Sequence, residues 1–155
     1  MPLPVGTQMP SFSGATQWLN GEIPTENLWG CPTIVHFWAV SCPSCKRNWP
    51  HLQRLVADYG LQLVSVHRPR MEADLDVSKV KAAMEELGLD GPCAIDNNHT
   101  IGDLFQTGGA WPTYFLFDAQ SKLRSRSAGQ LGLNVAENSL KRMLAMQQEG
   151  GKYET

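Results

Sequence analysis

Apolar and polar positions switch between two periods along the chain, and the switches mark its elements. Residues 33–40, TIVHFWAV, are a β-branched and aromatic run whose only strongly polar member is His36, which predicts a strand buried on both faces. From Pro43 to Gly60 the residues Trp49, Leu52, Leu55 and Val56 recur at helical spacing. Gly60 supplies the stop, and Pro50 predicts a kink inside this helix. LQLVSVH, 61–67, alternates as a strand, and DVSKVKAAMEELG, 76–88, reads as an amphipathic helix ending at Gly88. CAID is a short strand and NHTIGDLFQ a short helix. PTYFLFD, 112–118, and the more polar LRSRSAG, 123–129, form a hairpin across the QSKL turn. A last helix over 133–148 presents Val135, Leu140, Met143 and Leu144 as its apolar face, with 149–155 as a frayed tail.

Residues 1–32, rich in Pro, Gly and Thr, read as a lead-in in which TQWLN pairs as an edge strand before the turn at Asn20-Gly21. The order of elements predicts an α/β fold: βαβ units first and a hairpin last give a mixed central sheet with helices on both faces. At 155 residues, without repeat or linker, the chain is expected to be a single domain over 1–155.

The net charge of −2 provides no broad basic field, so nucleic acid is not an expected partner. Neither a leader pattern nor an apolar run of membrane-spanning length is visible, and the expectation is a soluble cytoplasmic monomer that does not engage a membrane.

Four cysteines, at 31, 42, 45 and 93, are too few and too unevenly placed for a secreted disulfide framework. The close pair in SCPSC is the candidate for chemistry. Cys42 falls at the N-cap of the predicted helix with Pro43 at the first helical position. Free N–H groups and the helix dipole there favour an anion, lowering the thiol pKa from about 8.5 and making Cys42 the attacking sulfur. Cys45 lies one turn inward on the same side, placed to resolve a mixed disulfide, and Lys46 and Arg47 add positive charge to that turn. The Pro43-Ser44 dipeptide between the cysteines carries no charge. Structural zinc is the competing reading, but zinc takes four ligands, usually as two close pairs. Here Cys31, Cys93, His36, His51, His67 and His99 are scattered. In GGAWPTYFLF, Pro112 directly precedes a strand; a cis bond after Trp111 and an ordinary edge-strand start both fit.

Taken together, FWAVSCPSCK and WPTYFLFD resemble the thioredoxin superfamily, in which an active-site CxxC faces a cis-proline loop. The strand and helix inserted between 61 and 95 resemble the TlpA/ResA branch. WLNGE, HFW, VHRPRMEADLD and IDNNH are similar to the YkuV-type thiol-disulfide oxidoreductases, which are soluble bacterial proteins. The resemblance implies a thioredoxin-like fold with an N-terminal extension and that inserted strand and helix. It implies dithiol-disulfide exchange by Cys42 and Cys45 beside a cis Pro112, electron transfer that needs no cofactor beyond the Cys42–Cys45 disulfide. The partners it implies are protein disulfides and an external reductant. The family's usual carboxylate proton acceptor is missing from two places, which here hold His36 and Asn48. His36 therefore has two readings, proton acceptor for Cys45 or neutral core histidine.

The remaining candidates have bland counterparts. His67, Arg68 and Arg70 raise the local positive potential or form a solvated loop. Trp38 packs beneath the site, and Trp111 is expected to offer an exposed contact surface for substrate. Cys31 and Cys93 are expected to be inert, and Gly108-Gly109 gives the proline loop its backbone freedom. The leading function is a thiol-disulfide oxidoreductase acting as a reductant. The alternatives are a binding module or copper(I) chaperone that captures through the two thiols without turnover, and a peroxidatic enzyme suggested by SCPS.

Overall fold

The computed structural model describes residues 2–153, with side chains through residue 146. One six-stranded sheet carries strands β1 (Gln17–Leu19), β2 (Thr33–Trp38), β3 (Gln62–His67), β4 (Cys93–Ile95), β5 (Thr113–Phe117) and β6 (Leu123–Ala128) in the order β1-β4-β3-β2-β5-β6. β2, β3 and β4 run parallel, while β1, β5 and β6 pair antiparallel with their neighbours, so the sheet is mixed as expected. The TQWLN segment does supply the edge strand, pairing with β4. The helices are α1 (Pro43–Tyr59), α2 (Val77–Leu87), α3 (Thr100–Phe105) and α4 (Gly132–Tyr153).

Strand side chains alternate between two cores. On one face Ile34, Trp38, Tyr114 and Leu116 pack with Trp49, Leu52 and Leu55 of α1, Val80 and Met84 of α2, and Leu133 and Leu140 of α4. On the other, Val35, Phe37, Val64, Val66, Phe115 and Phe117 pack with Ile101 and Phe105 of α3. A six-residue helix cannot cover that face alone. Leu3, Met9, Phe12 and Leu28 complete it, and residues 6–9 hydrogen-bond beside the start of β6. The segment read as a lead-in is therefore part of the second core.

Two further expectations are corrected. Val135 is 49% exposed; a helix beginning at Gly132 turns Leu133, Ala136, Leu140 and Met143 inward and Val135 outward. The expected frayed tail is helical as far as Tyr153, while Glu154 and Thr155 lie outside the described residues. Pro50 sits inside α1, and Gly60 closes that helix in the left-handed region at φ 62°, where glycine meets no Cβ penalty. Among the described residues no helix is long and apolar enough to cross a membrane.

Candidate active site

The parallel strands β2 and β3 end on the same edge, and β2 hands the chain to α1 there. Cys42 is the N-cap of α1, Pro43 follows at the first turn, and the Cys42 Sγ accepts the Cys45 N–H at 3.2 Å. The sulfur thus occupies the position of a capping oxygen, where the helix N-terminus stabilises negative charge. Cys42 and Cys45 are joined in a disulfide, with Cα atoms 5.4 Å apart. Both are almost fully buried, at 2% and 3% exposure, so exposure does not set one sulfur apart from the other.

Just before β5, which pairs with β2, the Trp111–Pro112 peptide bond is cis, and Pro112 is buried. Gly108 adopts φ 64°, consistent with the freedom expected of that loop. The loop is fastened by Arg68, at the end of β3. Its Nη1 donates to Gly108 O at 2.6 Å and to Thr107 Oγ1 at 2.8 Å, and its Nε donates to His99 Nδ1 at 3.1 Å. Its guanidinium carbon lies 4.5 Å from the centre of the Trp111 ring, and the Trp111 indole N–H donates to Arg68 O at 2.9 Å. Trp111 is thus half-buried against Arg68, while Trp38 is buried beneath the site as expected.

Arg70 reaches the cysteine turn, its Nη1 donating to Ser41 O at 2.7 Å. Neither arginine belongs to a loosely solvated loop, and His67 adds no positive charge. That ring is fully buried, its Nε2 accepts the Val40 N–H at 3.1 Å, and burial pushes its pKa down to about 4. The proton on the neutral ring is therefore on Nδ1, which has no partner.

Gly102 leaves the path of Arg68 open. A Cβ there would lie 2.6 Å from Arg68 Cδ and 2.7 Å from its Nε. Alanine normally stabilises a helix by up to about 1 kcal/mol relative to glycine. Gly102→Ala is instead expected to destabilise by about 1–3 kcal/mol, because Arg68 must leave its partners. In an Arg68→Ala background the same change should cost nothing, and equal costs in the two backgrounds by urea denaturation would refute the coupling.

His36 takes the core reading. Its ring is 2% exposed and faces Trp38, Trp49 and Tyr114 at 6.4, 6.0 and 5.8 Å between centres, with Nδ1 3.0 Å from Ser65 Oγ. Burial pushes its pKa down to about 3, which makes it a poor proton acceptor near neutrality. Asn48 donates to Gln130 O at 3.1 Å and Tyr114 Oη at 3.4 Å, a role a carboxylate could not take. Burial pushes the Tyr114 hydroxyl up to about 12 and the Cys93 thiol to about 12, so neither ionises near neutrality. Cys31 is half-buried and unpaired, its Sγ 3.6 Å from Gly60 O. Among the described residues no group of three or more His, Cys, Asp or Glu is arranged to hold a metal.

Sequence reasoning missed one site residue. Asp74, in a 3-10 turn at Glu72–Leu75, is 2% exposed and accepts the Ser41 N–H at 3.2 Å, the Ser41 Oγ–H at 2.6 Å and the Arg70 N–H at 2.9 Å. It lies 33 positions from its partner Ser41. No local period signals such a contact.

The AhpC/TSA family model matches residues 5–126. A thiol-disulfide oxidoreductase, YkuV of Bacillus subtilis (strain 168), is 39% identical over 140 residues, covering 88% of this chain and 94% of that protein. The thiol-disulfide oxidoreductase ResA of Bacillus thuringiensis (strain Al Hakam) is 26% identical over 142 residues, covering 90% of this chain and 78% of that protein. The solution structure of a thioredoxin-like protein in its oxidised form superposes with a TM-score of 0.83 at 36% identity, over 93% of this chain and 99% of that one.

Proposed function

From the premise that the chain belongs to the AhpC/TSA family and is a thioredoxin-like thiol-disulfide oxidoreductase, we propose that it reduces disulfide bonds in other proteins. The carrying observation is the Cys42–Cys45 disulfide at a helix N-terminus, with Cys42 Sγ in the capping position. In the reduced protein the Cys42 thiolate attacks one sulfur of a substrate disulfide. The S–S electron pair leaves with the other substrate sulfur, which takes up a proton. Cys45 gives up its proton and attacks the Cys42 sulfur, releasing the second substrate thiol and leaving the Cys42–Cys45 disulfide. Two electrons have passed to the substrate, and an external dithiol resets the pair.

The reading extends to a monomer in the cytoplasm with no cofactor beyond the disulfide, acting on protein partners without nucleic acid or membrane. Two features support it: Cys31 and Cys93 are unpaired, which suits a reducing compartment, and a net charge of −2 offers nucleic acid no attraction. Trp111, half-buried beside the cis-proline, is the side chain placed to meet a partner's backbone and flanking residues.

The test is turnover and direction. The protein should accelerate reduction of insulin disulfides by dithiothreitol, and its midpoint potential in dithiol redox buffers should lie below about −220 mV. Absence of acceleration would remove the exchange reading, and a midpoint near about −120 mV would reverse its direction.

A further inference from the structure

The turn that delivers Cys42 is held by the last residue of β3 and the segment that follows it. His67 accepts the Val40 N–H, Asp74 accepts both the N–H and the hydroxyl of Ser41, and Arg70 donates to the Ser41 carbonyl. Every polar group of Ser41, the residue preceding the nucleophile, is therefore engaged by residues 70–74.

These partners have electrostatic consequences of opposite sign. The thiolate of Cys42 is favoured by the α1 N-terminus, by the Cys45 N–H, by the Arg70 guanidinium and by the exposed Lys46 and Arg47 of the first turn. His67 is neutral near pH 7, and among the groups that hold the turn Asp74 is the one anion. Its burial would raise its pKa, but the hydrogen bonds from Ser41 and Arg70 outweigh this and hold the carboxyl below its ordinary value, so it is ionised. A fixed, 2% exposed negative charge hydrogen-bonded to Ser41, the residue preceding Cys42, opposes formation of the thiolate.

We propose that Asp74 is a positioning residue for Cys42 that also restrains its thiolate, shifting the pair toward the disulfide and making the reduced protein a stronger electron donor. This rests on the exchange reading and adds to it the residue that sets reducing strength. The family's proton-accepting carboxylate positions hold His36 and Asn48 here, while Asp74 bears on the other cysteine from a different element.

The test compares full-length Asp74→Asn, Ser41→Ala and Arg70→Gln with wild type. Two quantities are read: the dithiol-disulfide equilibrium constant in redox buffers, and the rate of iodoacetamide alkylation at Cys42 at pH 6, followed by mass spectrometry of its peptide. Asp74→Asn keeps an acceptor for the Ser41 N–H and removes the charge. It should raise the alkylation rate and shift the equilibrium toward dithiol, each by about threefold or more. Arg70→Gln removes the exposed cation and should move both quantities the other way, keeping the test open if Asp74→Asn does not fold. Ser41→Ala leaves both charges and should produce no increase in either quantity. Unchanged values in Asp74→Asn, or movement of all three variants in one direction as a simple structural clamp would give, overturns the proposal. Because both readouts are taken on the thiol pair itself, loss of insulin turnover in wild type would refute the exchange reading without deciding this one.

Discussion

A Cys45→Ser variant incubated with oxidised protein substrates is expected to accumulate mixed disulfides through Cys42, whereas Cys42→Ser accumulates none and loses turnover by more than about a thousandfold. The asymmetry does not come from access, since the two sulfurs are 2% and 3% exposed. It comes from the helix: Cys42 Sγ sits at the N-cap of a 17-residue helix and already accepts a backbone N–H. Cys45 lies inside the first turn, where the orphan N–H groups are no longer in front of it. Without Cys45 the first attack still occurs and the intermediate is stranded; without Cys42 the first attack has no competent nucleophile. Non-reducing gels followed by release with dithiothreitol read the result. Equal trapping by both variants, or trapping by Cys42→Ser alone, would reverse the assignment of roles.

Much of this site was legible because its signals are local. β2 is a continuous apolar run, α1 begins with Pro43 and ends at Gly60, and the capping position of Cys42 follows from that boundary. The hairpin was legible from the alternation of β6, whose residues alternate between buried and less buried. What the sequence hid are contacts made across the edge of the sheet. Asp74 meets Ser41 across 33 positions, and Arg68 meets Gly108 across 40, through one or two side-chain hydrogen bonds that impose no period on the residues between. Val135 misled because an apolar residue near a helix start fits two faces until the first residue of the helix is fixed. Residues 1–32 misled for another reason: their buried Leu3, Met9, Phe12 and Leu28 are spaced by turns, matching neither a helix nor a strand.

The proton question raised by His36 has a thermodynamic counterpart, a loss of stability of about 4 kcal/mol between pH 7 and pH 5. His36 and His67 have unfolded pKa values near about 6.5. In the folded protein burial holds them at about 3 and about 4. A basic group depressed on folding binds its proton more readily in the unfolded state. Stability is therefore complete above about pH 6.5 and falls as the pH drops toward the folded values, at roughly 2 kcal/mol per ring by pH 5. Asp74 and Asp76, held below their ordinary range, contribute losses only at more acid pH. Asp96, pushed up by burial, favours its protonated form in the fold and so acts in the opposite sense as the pH falls. Urea denaturation of the oxidised protein at pH 7 and pH 5 measures the loss. His67→Gln, which keeps an acceptor for the Val40 N–H, and His36→Asn should each remove about half of it. A flat profile in wild type, or an undiminished slope in both variants, would mean that these rings take up protons in the folded state. His36 would then return as a candidate base for Cys45, and His36→Ala should slow resolution of a mixed disulfide more than attack by Cys42. With the slope as expected, resolution by Cys45 keeps its rate when His36 is replaced by asparagine.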